Sequence, residues 1–175
     1  MNGHPGGEEH TRRMLQLAAI PAGGRILDLG AGSGESLRLM QSLGYRAEGI
    51  DLAPRSAEVR QGDLLRAPYP DGCFDGLLSQ CAFTLSGDVP AAFRESFRLL
   101  KRGGALLFSD VCFEDPVPLA EAAGFRVEYD EDLTCAWREY YLEAIWRGTA
   151  ETCRIRGKCF YRMLICRKDD GNGLV

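Results

Sequence analysis

The chain of 175 residues contains no apolar run near the ~18 residues that a membrane span requires. Its opening, Met1-Asn2-Gly3-His4-Pro5-Gly6-Gly7-Glu8-Glu9-His10, has neither a cationic start nor an apolar stretch. These absences predict a soluble, cytoplasmic protein with no membrane partner. Histidine is nearly missing, with only His4 and His10, so imidazole chemistry has few places to reside. Cationic excess is missing too: 21 Lys and Arg stand against 25 Asp and Glu, a net charge of −4. The general attraction to phosphate backbones is therefore lost, and no nucleic-acid partner is expected. The seven cysteines, Cys73, Cys81, Cys112, Cys135, Cys153, Cys159 and Cys166, form no C-x-x-C pair and have no histidine at zinc spacing. Reduced thiols are expected, without a metal site.

What is present is 45% hydrophobic residues and 21 dispersed glycines, enough for one domain over residues 1–175. Flexible ends are expected at residues 1–9 and 169–175, around a core of residues 25–113 and a C-terminal part of residues 114–168. Composition leaves monomer and homodimer open. Short apolar runs alternate with amphipathic stretches, the pattern of a sheet covered by helices on both faces. The fold predicted is α/β: a Rossmann-like, doubly wound, mostly parallel sheet of seven strands, the last antiparallel. The strands read as Arg25–Leu29, Tyr45–Asp51, Ala57–Gln61, Phe74–Gln80, Ala105–Cys112, Phe125–Tyr129 and Cys159–Cys166. Helices are expected at Gly34–Leu43, after the Asp88 cap, at Leu119–Ala123 and at Trp137–Arg147.

The most informative segment is Ile26-Leu27-Asp28-Leu29-Gly30-Ala31-Gly32-Ser33-Gly34-Glu35, a buried strand running into alternate glycines and then a helix. Bare backbone there lets a ligand lie close, at the carboxyl end of a parallel strand. A dinucleotide fingerprint would place its third glycine where Glu35 stands. A carboxylate two residues before Gly-x-Gly-x-Gly instead resembles motif I of class I S-adenosylmethionine-dependent methyltransferases. Ala67–Asp75 and Leu99–Leu107 are similar to segments preceding the fourth and fifth strands in the ubiquinone-biosynthesis-like subset of that family.

The resemblance implies S-adenosylmethionine as methyl donor and a small-molecule acceptor. Donor contacts are then expected from Asp28, Gly30, Ala31, Gly32, Gly34, Asp51, Leu52, Gly62, Asp63, Leu64 and Ser79. Asp51 is assigned to the ribose hydroxyls, Asp63 to the adenine amino group, and the Ser79 carbonyl to the methionine amino group. The alternative is a non-catalytic, donor-binding accessory subunit.

In-line methyl transfer requires positioning more than a dedicated nucleophile. Candidates near the acceptor are Gln80, Cys81, His10 and Tyr140, with Tyr141, Trp137 and Trp146 as aromatic lining. Arg154, Arg156, Lys158 and Arg162 form a basic stretch read as a solvated strand face or a contact for an anionic acceptor. The chain has neither the Asn/Asp-Pro-Pro-aromatic motif nor the Pro-Cys loop of DNA methyltransferases, which counts against a base as acceptor.

Overall fold

The computed structural model describes residues 6–147 and 158–169. Its elements run α1 (Gly7–Ala18), β1 (Arg25–Leu29), α2 (Glu35–Ser42), β2 (Arg46–Asp51), β3 (Arg60–Gln61), β4 (Phe74–Gln80) and α3 (Phe83–Ser86). They continue with α4 (Val89–Leu99), β5 (Leu100–Cys112), α5 (Pro116–Ala122), β6 (Phe125–Asp132), α6 (Thr134–Trp146) and β7 (Phe160–Lys168). The strands form one sheet in the order β3-β2-β1-β4-β5-β7-β6. Pairings from β3 through β5 are parallel, and β7 runs antiparallel to β5 and β6. The expected seven-stranded, mostly parallel architecture with an antiparallel last strand is found.

Strand order reverses between β1 and β4, so the connections leaving these two strands depart in opposite directions and open a crevice at their carboxyl ends. The register Leu29↔Ile50 and Asp28↔Leu78 brings the segments after β1, β2 and β4 to that crevice. Two apolar layers hold the sheet. On one face Leu27 and Leu29 pack with Phe83, Phe93, Phe108 and Ala120; the three rings lie with centroids 5.1–5.3 Å apart. On the other, Ile26 and Leu78 pack with Met14 and Ala18 of α1 and Leu37 and Met40 of α2. Alternate residues of β1 thus enter opposite layers, as pleating requires.

Several expectations about element boundaries are corrected. Residues 7–9, expected in a flexible arm, begin α1. His10, Thr11, Met14, Leu15 and Ala18 share its buried face, and the polar first two mask the apolar period. The third strand shrinks from Ala57–Gln61 to Arg60–Gln61, the segment before it being turns and bends. β5 starts at Leu100, which pairs with Phe74 before a register shift and the pairing Ala105↔Gly76. α3 was not anticipated. Its backbone is held by Asp110, whose Oδ2 accepts from Thr84 N at 3.1 Å. Arg154, Arg156 and Cys153 lie outside the described residues, as do 1–5 and 170–175.

Candidate active site

The chain leaves β1 through three glycines with φ of +85° (Gly30), +50° (Gly32) and +77° (Gly34). These left-handed conformations explain the residue type. At Gly30 a Cβ would also meet the Ala82 Cβ at 2.4 Å. The loop is pinned to β2: Gly30 N and Ala31 N donate to Ile50 O at 2.9 and 3.0 Å. Gly32 N donates to Asp51 Oδ2 at 2.9 Å, and Ala53 N to Asp51 Oδ1 at 2.8 Å. Each Asp51 oxygen thus accepts one backbone bond and has a second lone pair for another donor. The carboxylate is oriented before any ligand arrives.

The crevice is a cleft of about 330 Å³ whose wall includes Asp28, Gly30, Ala31, Gly32, Asp51, Leu52, Gly62, Leu64, Gln80, Cys81 and Tyr140. These eleven sequence-predicted residues meet although they span positions 28 to 140. Asp28 is 4% exposed, and no described hydrogen bond reaches its carboxyl. Burial first, and the charge of Asp51 second, push its pKa up to about 7. A cation beside it would reverse that shift.

Four predicted residues stand outside the cleft wall. Gly34 is the N-cap of α2. The Asp63 carboxylate accepts from Leu65 N through Oδ1 at 2.8 Å and closes a local turn, which leaves its second oxygen for another donor. Ser79 is interior to β4, paired with Phe108, and its buried Oγ has no hydrogen-bond partner. His10 is buried in α1 with Nε2 2.9 Å from Ser109 Oγ; it neither lines the cleft nor sits in a solvated arm.

Sequence reasoning missed Glu35, Ser36, Arg55, Leu85 and Ser86 as wall residues. Position just after each strand end, at the start of α2 and α3, was the available signal. Arg55 arrives on the turn after β2: its N donates to Gly32 O at 3.0 Å, and its guanidinium lies over Gly32. Ser36 Oγ and Thr11 Oγ1 both donate to Gln80 Oε1, at 3.0 and 3.3 Å, which fixes the Gln80 amide between α2 and α1.

Across the cleft, α6 supplies Tyr140 and Tyr141, their rings 5.9 Å apart. Burial, then the Cys81 thiol and the Glu35 carboxylate, raise the Tyr140 phenol above its ordinary pKa. Trp137 stacks instead on Tyr161, and Trp146 is largely exposed. Of the basic stretch, Arg162 pairs with Asp130 and Asp115, and Lys158 is exposed. No group of three or more potential metal ligands occurs among the described residues, and none of their helices is long and apolar enough to cross a membrane.

The profile of the methyltransferase-domain family matches residues 27–108, the span that carries the glycine loop, Asp51 and Cys81. Demethylmenaquinone methyltransferase of Thermus thermophilus is 34% identical over 140 residues, covering 70% of this chain and 62% of that one. Malonyl-[acyl-carrier protein] O-methyltransferase of Serratia marcescens is 32% identical over 107 residues, 55% of this chain and 42% of that one. The chain therefore spans less than half the length of some curated relatives it matches. Among solved structures, Haemonchus contortus phosphoethanolamine N-methyltransferase 2 superposes with a TM-score of 0.77 at 18% identity, over 95% of this chain and 54% of that one; this likeness establishes the fold. With its glycine loop, its sheet order and the match over residues 27–108, the chain carries a methyltransferase domain.

Proposed function

We propose that the protein binds S-adenosylmethionine in this cleft and transfers its methyl group to a small-molecule acceptor. The observation that carries the reading is Asp28: a buried carboxyl without a described hydrogen bond, in the cleft wall beside bare glycine backbone. Burying such a group costs several kcal/mol unless a partner compensates. A cationic ligand bearing an ammonium and a sulfonium is such a partner, and the names of the sequence relatives support the same reading.

In this reading the loop backbone of Gly30, Ala31 and Gly32 lies along the donor as part of the cleft wall, and Asp51 accepts the ribose hydroxyls through its remaining lone pairs. Leu52, Gly62 and Leu64 border the base. Gly34 contributes by starting α2, Asp63 by shaping the turn before Leu64, and Ser79 through the β4 backbone. The donor supplies an electrophilic methyl carbon. The acceptor's lone pair forms the new bond, the carbon–sulfur pair returns to sulfur, and the acceptor's proton passes to solvent. Holding both partners in line can lower the barrier by roughly 7–11 kcal/mol, and the apolar and aromatic surface of Ala82, Tyr140 and Tyr141 in the wall favours dispersal of the sulfonium charge.

Calorimetry with S-adenosylhomocysteine tests the assignment. Asp51→Ala should weaken binding at least about tenfold, ~1.5 kcal/mol, the contribution of a hydrogen bond to a charged group. Equal affinity in wild type and variant removes Asp51 from the ribose site, and absence of binding by the wild type removes the reading.

A further inference from the structure

Behind the cleft wall runs a buried string of polar side chains that the donor does not require. His10 Nε2 lies 2.9 Å from Ser109 Oγ, which donates to Tyr161 Oη at 2.8 Å. Tyr161 Oη in turn is 3.5 Å from Cys81 Sγ. The links join α1 to β5, β5 to β7, and β7 to the residue after β4. His10, Ser109 and Tyr161 are all less than 9% exposed; of the four, Cys81 alone reaches the cleft.

Its backbone is unusual as well. Cys81 has φ +56°, one of two non-glycine residues with positive φ among the described residues, and its N donates to Ser109 O at 2.8 Å. Such a conformation costs of order 1–3 kcal/mol and persists where surrounding contacts impose it. The Trp137 ring, stacked on Tyr161 at 10° between planes, holds the phenol from its other side. Apolar residues would fill this interior without the desolvation cost of three hydroxyl or imidazole groups. The string is therefore better explained by what it does to Cys81 than by packing.

We propose that Cys81 is the specificity-determining residue for the methyl acceptor, with Tyr161, Ser109 and His10 as positioning residues that fix its thiol at the cleft wall. The inference rests on the methyl-transfer reading and deepens it by naming an acceptor class. Burial first, and the charge of Asp110 second, push the Cys81 thiol up to about 12, so it meets the acceptor as a neutral hydrogen-bonding group. The wall that holds it also includes Ala82, Leu85, Ser86, Tyr140 and Tyr141; the Glu35 carboxylate acts on the Tyr140 phenol as Cys81 does, and the Arg55 guanidinium lies over Gly32. An acceptor uncharged around the methylated atom fits beside Cys81 and Tyr140; a phosphorylated one would meet the Glu35 carboxylate there.

The full chain and its Tyr161→Phe, His10→Leu, His10→Gln and Cys81→Asp variants test this. With S-adenosylhomocysteine bound, iodoacetamide alkylation of the Cys81 peptide is followed by mass spectrometry. Loss of the Tyr161 hydroxyl, the hydrogen-bond partner of the sulfur, should slow alkylation at least fivefold. His10→Leu should slow it at least threefold, and His10→Gln, which keeps a side-chain N–H, should restore it to within twofold of wild type. Unchanged or faster alkylation in Tyr161→Phe and His10→Leu overturns the positioning role.

In a second arm, methyl-labelled donor is incubated with the protein and a neutral cell-extract metabolite pool, and the product is partitioned between ethyl acetate and water. Label entering the organic phase, and falling at least tenfold in Cys81→Asp while S-adenosylhomocysteine affinity stays within threefold, supports the proposal. Label confined to water, or undiminished in Cys81→Asp, overturns the acceptor class while leaving methyl transfer standing. No labelled product from a wild type that binds S-adenosylhomocysteine defeats methyl transfer itself, and this inference with it.

Discussion

Asp28→Asn should stabilise the ligand-free protein at pH 8 relative to acid, because the wild-type carboxylate is buried without a described hydrogen bond. Its pKa of about 7 lies above the 3.8 of an ordinary aspartate, so the folded state holds the proton more tightly than the unfolded chain. Folding stability from this group is present at low pH and lost as pH rises through 7. Between pH 8 and pH 5 the wild type should gain about 3 kcal/mol relative to the variant, and for a chain of this size that moves the melting temperature by roughly 6–12 °C. Other titrating groups cancel in the difference between the two proteins. Thermal unfolding of both, without ligand, across pH 5–8 reads it directly. Parallel pH profiles, or a gap that moves the opposite way, refute the burial argument. The same charge should serve binding: a cation beside Asp28 favours the ionised form, so S-adenosylhomocysteine affinity should fall about tenfold between pH 8 and pH 6, and this dependence should vanish in Asp28→Asn.

The packing and the loop make further claims. Phe93→Ala removes a fully buried ring from the Phe83–Phe93–Phe108 cluster and should cost about 3–5 kcal/mol in denaturant unfolding; a loss below 1 kcal/mol would mean the cluster is not close-packed. Gly30→Ala adds a Cβ at φ +85° and 2.4 Å from Ala82 Cβ, which should lower stability by about 1–3 kcal/mol and weaken S-adenosylhomocysteine at least tenfold by calorimetry. Unchanged binding would show that the loop tolerates a side chain.

The parts of the site legible in the sequence are those set by local chemistry. Gly30 and Gly32 stand where a β1-to-α2 turn needs positive φ, and Asp51 stands at the end of the adjoining strand; in both cases backbone demand and residue type coincide. Asp63 shows where this reasoning stops. An aspartate before a leucine pair after a short strand is equally suited to a ligand contact or to a local turn, and the bond to Leu65 N belongs to the turn. The turn uses one carboxylate oxygen and leaves the other its lone pairs, and β3, reduced to two residues, offers no pattern that assigns the second role.

His10 shows the converse, a residue whose environment cannot be read from its neighbours at all. The Gly-rich opening suggests a loose arm, yet Met14, Leu15 and Ala18 pull α1 onto the sheet, and the imidazole finds a hydroxyl 99 positions away. The cost of burying polar groups is met by partners in space, and sequence spacing carries no record of them. The same holds for Tyr140 and Tyr141, placed opposite the glycine loop by α6. The segments that resemble the family most closely lie on the donor side. Of the features set by tertiary contacts, Cys81, Tyr140 and Tyr141 line the cleft, whereas α1 packs against the sheet and places no residue in that wall. Under the proposed function, acceptor choice depends on long-range contacts that folding creates, whereas donor binding depends on short motifs that exist before it.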